Sequence, residues 1–223
     1  MASGERPEII AQRNFRAHRE ALAVLDLEHR FEYIHRHNLW GCDASVSGTG
    51  STAEETANVR AGIPLLLAGI GAQSLLDVPC GDYGWLNSVE LGVSYIGADI
   101  VSELVDANRT RYGRPGRRFL RLDLTTDPLP AADLVLCRDC LVHLSYANIG
   151  RALANIRASG AHWLLTTNFL RIQTNRDIED GDWRPLNFEL PPFDFPPPQR
   201  VLLENCLEGE GAYNDKALCL WQL

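Results

Sequence analysis

What this chain of 223 residues lacks says first what it is not. No apolar run approaches the roughly 20 residues that a membrane-spanning helix needs. The first ten residues carry Glu5, Arg6 and Glu8, so the apolar core of a secretory signal is missing there. A basic excess is missing too: the formal charge is −8, whereas a nucleic-acid partner normally demands a basic face. These absences lead to the expectation of a cytoplasmic protein with neither membrane nor nucleic acid as partner. No second pair of ligands completes Cys137-Arg138-Asp139-Cys140, whose C-x-x-C spacing is only half a zinc set, so no metal is expected. Four of the six cysteines lie in or beside apolar runs, where a reduced thiol behaves as a small hydrophobe.

What is present is ordinary for a globular protein: 45% hydrophobic and 22% charged residues, in a length that suits one ample core. Residues 7–38 read as helical, with Pro7 at a first helical position and a second piece over 28–37. Residues 39–52 are rich in glycine, serine and threonine, and are either a linker or a loop closing over a ligand with Trp40 as its anchor. Ser51 or Thr52 then caps a helix over 53–69. From Ser74 onward, short β-like runs alternate with helical ones, which implies βαβ units. The strands read as 74–79, 93–99, 117–123, 132–137, 162–168, 200–205 and 216–222. The helices fall near 84–89, 102–112 and 146–158. No helical pattern separates the last two strands, so one of them is expected to run antiparallel. The fold class is therefore α/β, a seven-stranded and mostly parallel Rossmann-like sheet under an N-terminal helical cap. Residues 1–69 form the cap and closing loop, and 70–223 the core. Residues 170–198, with prolines, Trp183, Phe188, Phe193 and Phe195, read as a lid-like or binding insertion within one structural domain.

The organising stretch is Asp77-Val78-Pro79-Cys80-Gly81-Asp82-Tyr83-Gly84-Trp85, where an apolar run ends in an acid and turns through two glycines. Gly81 and Gly84 would leave room for a ligand against the backbone. In an open parallel sheet, ligands bind at the carboxyl ends of the strands. Acids recur at those ends. Asp99 stands about 20 residues past the glycine turn, suited to a ribose diol. Asp123 could accept from an adenine amino group, and Asp139 lies beside His143. Singly, each acid could be a helix cap or a solvated loop residue; their joint placement points to a ligand. The G-x-G-x-x-G of a dinucleotide fold is absent, because Gly81-x-x-Gly84 offers the wrong spacing for a pyrophosphate.

Asp77-x-x-x-Gly81-x-x-Gly84, Asp99, Asp123 and the 137–139 strand end resemble the ordered motifs of class I S-adenosylmethionine-dependent methyltransferases. Trp40-Gly41, residues 47–51, 77–82, 137–143 and 181–187 more specifically resemble a short bacterial subgroup of largely undefined substrate, often associated with glycan or small-metabolite pathways. Pro79 and Tyr83 stand where the broader family carries glycine. The resemblance implies an enzyme that uses S-adenosylmethionine and releases S-adenosylhomocysteine, methylating a small molecule (a sugar, glycan precursor or natural-product intermediate) at O or N. It implies cofactor contacts from Trp40, Ser51, Asp77, Pro79, Cys80, Gly81, Asp82, Trp85, Asp99, Ile100, Asp123, Leu124 and Arg138. The candidate base is His143, with Asp139 orienting it or anchoring the cofactor; a packed core histidine is the other reading. Tyr33, His143, Trp183, Arg184, Asn187 and Phe193 are the acceptor-pocket candidates. Trp183 either stacks on a ring or packs the insertion, and Arg184 could hold a carboxylate or phosphate. The alternative function is a non-catalytic cofactor-binding protein in regulation or assembly. The assembly is expected to be a monomer or homodimer.

Overall fold

The computed structural model describes residues 6–223; the first five residues, on which part of the reading of the leader falls, lie outside them. The seven strands are β1 (Ser74–Asp77), β2 (Ser94–Asp99), β3 (Arg117–Arg121), β4 (Leu134–Cys137), β5 (Trp163–Phe169), β6 (Arg200–Leu203) and β7 (Lys216–Gln222). They form one sheet in the order β3-β2-β1-β4-β5-β7-β6, parallel throughout except that β7 opposes both of its neighbours. The five helices are α1 (Ile10–Ala23), α2 (Leu27–Arg36), α3 (Ala57–Gly69), α4 (Ser102–Tyr112) and α5 (Tyr146–Ala158).

The central strands are apolar without alternation because helices cover both faces. Leu76, Val135 and Leu164 pack with Ile149, Leu153 and Ile156 of α5 on one face. Leu75, Leu134 and Leu136 pack with Val59, Ile63 and Leu67 of α3 on the other. The N-terminal helices close on themselves through Phe15, Leu22, Ile34 and Leu39. Leu27 and Phe31 of α2 also pack against the core beside α5, so this helix reaches over the sheet.

Several sequence-based boundaries move. The helix expected over 84–89 is a run of turns. Tyr83 takes a left-handed φ of 56°, the Asp82 carboxylate accepts the Gly84 N–H at 2.9 Å, and the Asn87 amide bonds back to the Gly84 carbonyl, all of which compete with helical pairing. Helix α1 starts at Ile10 rather than beside Pro7, and α3 starts at Ala57, because residues 49–56 are spent on a short turn anchored by Thr52. The strand ends trim to four to seven residues.

The 170–198 insertion is ordered by buried polar contacts rather than by secondary structure. Arg184, fully buried, donates to the carbonyls of Leu141 at 2.8 Å, Leu144 at 2.6 Å and Arg176 at 3.3 Å. Burial lowers its pKa to about 10. Asn187 works the same way: its backbone N–H donates to Asn175, and its side-chain oxygen accepts the Glu189 N–H. Phe193 packs on Phe188 and Tyr146. Arg184→Met would strand those carbonyls, and urea unfolding is expected to show a loss of about 2–4 kcal/mol.

Candidate functional site

The strand order reverses between β1 and β4, and at the carboxyl ends of these strands lies a cleft open to solvent. Asp77, Asp99 and Asp123, from three successive strand ends, all line it. Asp99 is held by the backbone N–H groups of Gly81 and Val101, each at 3.0 Å. Burial nevertheless raises its pKa to about 6. Asp77 is wholly enclosed and accepts the Tyr95 hydroxyl at 2.6 Å; burial outweighs that bond and raises its pKa to about 7. Asp123 turns one carboxylate oxygen toward Thr125, accepting its N–H and hydroxyl at 2.7 Å each. Pro79, Cys80, Ile100 and Leu124 complete the floor named from the sequence.

Residues 39–52 close over this floor. Trp40, Ser47 and Ser51 line the cleft. The Ser47 hydroxyl accepts the Asp82 N–H at 3.0 Å, and the Ser45 hydroxyl donates to the Asp82 carboxylate at 2.7 Å. Asp82 therefore fastens the loop and lies outside the cleft lining. Gly81, at φ 53°, lines the cleft, but a Cβ there would first collide with the Ser47 hydroxyl. Its bareness serves the loop as much as a ligand. Gly84 lies outside the cleft, and its nearest neighbour is Asp82.

At the end of β4, four charges converge, Arg138, Glu204 and Lys216 buried and Asp139 partly exposed. Arg138 donates to Glu204 at 3.1 and 2.6 Å and to the Gly50 carbonyl of the closing loop at 2.7 Å, and its guanidinium lies over Trp85. Lys216, the chain's single lysine, reaches Asp139 at 2.6 Å and Glu204 at 3.3 Å. Burial alone would raise the Asp139 pKa, but Lys216 and Arg138 hold it well below the usual carboxylate range.

His143 lines the cleft and also a second, smaller recess open to solvent, the chamber, lined by Trp183, Phe169, Asp139, Lys216 and Glu208. Its Nδ1 lies 2.9 Å from the Asp182 carbonyl. A carbonyl only accepts, so Nδ1 carries the proton and Nε2 keeps its lone pair. Burial lowers the imidazole pKa to about 4, so the ring is neutral across the physiological range. Among the acceptor candidates, His143 and Trp183 meet at this chamber. Tyr33 does not: its hydroxyl pairs with His18, and its ring stacks on His37. Arg184, Asn187 and Phe193 line neither space, since their side chains are committed to the insertion's own packing.

The sequence reading missed Leu27 and Phe31, which line the cleft from α2. Their spacing with the buried Ile34 marks one helical face, and Tyr33 lies off it. It also missed Glu204, Glu208 and Lys216, for which the available signal was a charge embedded in or bordering an apolar run. Among the described residues, no group of three or more His, Cys, Asp or Glu is placed to hold a metal ion, and no helix is long and apolar enough to cross a membrane.

No family model matches the chain, and no curated protein matches it. Solved structures do. A Burkholderia thailandensis 1,6-didemethyltoxoflavin N1-methyltransferase, bound to 1,6-didemethyltoxoflavin and S-adenosylhomocysteine, superposes with a TM-score of 0.59 at 18% identity, over 98% of this chain and 92% of its own. Magnesium protoporphyrin IX methyltransferase from Synechocystis, bound to S-adenosylmethionine, gives 0.57 at 15% identity, over 90% and 98%. Human N-acetylserotonin methyltransferase in complex with S-adenosylmethionine gives 0.52 at 13%, covering 96% of this chain but 59% of the human one. The fold is that of the class I methyltransferases.

Asp77 and Asp99 bind protons more tightly when folded than when unfolded. Raising the pH from about 4 to about 7 therefore strips the unfolded chain first, and stability falls over that window. Asp77→Asn keeps an acceptor for Tyr95 and removes the buried charge. Thermal melts of the ligand-free protein are expected to place the variant above the parent at pH 8, by about 2–4 °C per kcal/mol gained, with the difference gone by pH 4.

Proposed function

We propose that this chain is an S-adenosylmethionine-dependent methyltransferase acting at O or N of a small acceptor. The observation that carries the reading is the acidic cleft at the sheet's switch point, with carboxylates from three successive strand ends and the charge of Arg138 cancelled by Glu204. Such a cleft suits a cation and repels a pyrophosphate. The cofactors in the three crystal structures above support the same assignment.

Bound there, S-adenosylmethionine supplies a methyl group on a positively charged sulfur. The residues of this chain then have three tasks. Asp99 accepts from the ribose diol and Asp123 from the adenine amino group, while Ile100, Leu104 and Leu124 offer apolar surface to the base. The 39–52 loop, fastened by Ser45 and Ser47, excludes water. His143 Nε2, at the junction of cleft and chamber, takes the proton that an attacking hydroxyl or amine sheds. Its low basicity suits a hydroxyl above all, whose oxygen becomes strongly acidic only as its new bond to carbon forms. Six unpaired cysteines support a reducing, cytoplasmic setting.

His143→Ala is expected to lower turnover by about 10²-fold or more while S-adenosylhomocysteine affinity, read by calorimetry, stays within about threefold. Near-normal turnover would remove the base role. Because ionised Asp99 is the better acceptor, S-adenosylhomocysteine affinity is expected to weaken as pH falls through about 6. Asp99→Asn should weaken binding at pH 8 by about tenfold, the loss of one charge-assisted hydrogen bond, and flatten that pH dependence.

A further inference from the structure

The chamber beyond His143 has a wall and a floor of opposite character. Ile9, Ile10, Phe169 and Trp183 build an apolar wall. Trp183 is fixed there, with its ring nearly perpendicular to Phe169 and Tyr213 at centroid distances of 5.9 and 5.3 Å. The charged groups along it are mostly acidic, while Lys216 and the indole N–H groups of Trp40 and Trp183 are donors in its lining. His143 offers Nε2, Asp139 a carboxylate, and Glu208 a carboxylate that the Thr49 hydroxyl of the closing loop already touches. The one cation, Lys216, lies between Asp139 and Glu204, so its field is cancelled by two carboxylates.

Resting on the methyl-transfer reading, we infer that the acceptor is a flat aromatic or heteroaromatic compound presenting an O–H or N–H and carrying no carboxylate, sulfonate or phosphate. A flat ring matches the indole and phenyl wall. A donor on that ring meets His143, Asp139 or Glu208. A sugar would press several hydroxyls against a wall that cannot bond them, each at a cost. An anion would face Glu208 and Asp139 with no uncompensated cation to receive it. Glu208 is thus the residue that selects on charge. It lines the chamber and not the cofactor cleft, so its effect is separable from cofactor binding.

Calorimetric titration of the full chain, saturated with S-adenosylhomocysteine, tests this with 2-naphthol, 2-naphthoate, 2-naphthyl phosphate and methyl glucoside. The expected ranking places 2-naphthol at least tenfold tighter than either anion, with no binding of methyl glucoside at millimolar concentration. Glu208→Gln keeps an oxygen for Thr49 and is expected to narrow the gap between naphthol and naphthoate at least threefold, with S-adenosylhomocysteine affinity retained. Equal or tighter binding of an anion, binding of the glucoside in place of naphthol, or no binding of naphthol overturns the acceptor class. An unchanged gap in Glu208→Gln overturns the selecting role of Glu208. Failure of S-adenosylhomocysteine itself to bind overturns the methyl-transfer reading instead, and the same ranking on the unloaded protein then still decides whether the chamber prefers neutral aromatics.

Discussion

The site depends on one cluster of four charges, of which Arg138, Glu204 and Lys216 are buried and Asp139 is partly exposed. They come from the residues just after β4, the residue after β6 and the first residue of β7, so the pairings tie three strand ends together above the sheet. Any one of these charges alone in that environment would be strongly destabilising, and removing one would strand the rest. Together they are balanced two against two. The cluster holds Asp139 at φ 51°, a conformation few non-glycine residues adopt, and presents Arg138 to the closing loop. Gly50 accepts that contact because it has no side chain. A Cβ there would sit 3.1 Å from the Asp139 carboxylate and 3.2 Å from the Lys216 ammonium. Closure of the loop and electrostatic neutrality of the strand ends are therefore the same structural fact.

The sheet was legible in the sequence because parallel strands buried on both faces appear as continuous apolar runs, and because the acids that end them stand out against those runs. The antiparallel finish followed from the missing helix between the last two strands. What was not legible was contact made across long chain separations. Glu204 meets Arg138 across 66 residues, and Arg184 meets Leu141 across 43, and no periodicity encodes either pairing. Arg184 and Asn187 were read as ligand contacts because polar side chains in an aromatic loop suggest a pocket. They are instead what that loop uses to satisfy backbone groups in the absence of regular secondary structure. Tyr33 lies off the helical face that Leu27, Phe31 and the buried Ile34 share, so it points away from the cleft that Phe31 lines.

The turn after β1 shows how a departure from a motif can be absorbed. Tyr83 stands at a left-handed position that glycine fills more cheaply. Its ring is completely buried against Tyr95, Tyr112 and Phe119, with ring centroids 5.0 to 5.3 Å away. The same Tyr95 donates to Asp77 from below the cleft. Aromatic packing thus replaces glycine's freedom in setting the shape of the turn, and it fixes the first acid of the cleft at the same time.

That arrangement has a consequence for how a cation is received. Burial raises Asp77 to about 7 and Asp99 to about 6, so near neutral pH Asp99 is mostly ionised and Asp77 only in part. A positive charge entering it favours the ionised carboxylates and lowers both pKa values. Binding of a cation near neutral pH would then release a fraction of a proton, chiefly from Asp77. A neutral ligand gains only the better hydrogen-bond acceptor that an ionised carboxylate makes. On the methyl-transfer reading, a sulfonium would gain more than its neutral thioether from ionising Asp77, and the enclosure that holds this proton sets the size of that difference.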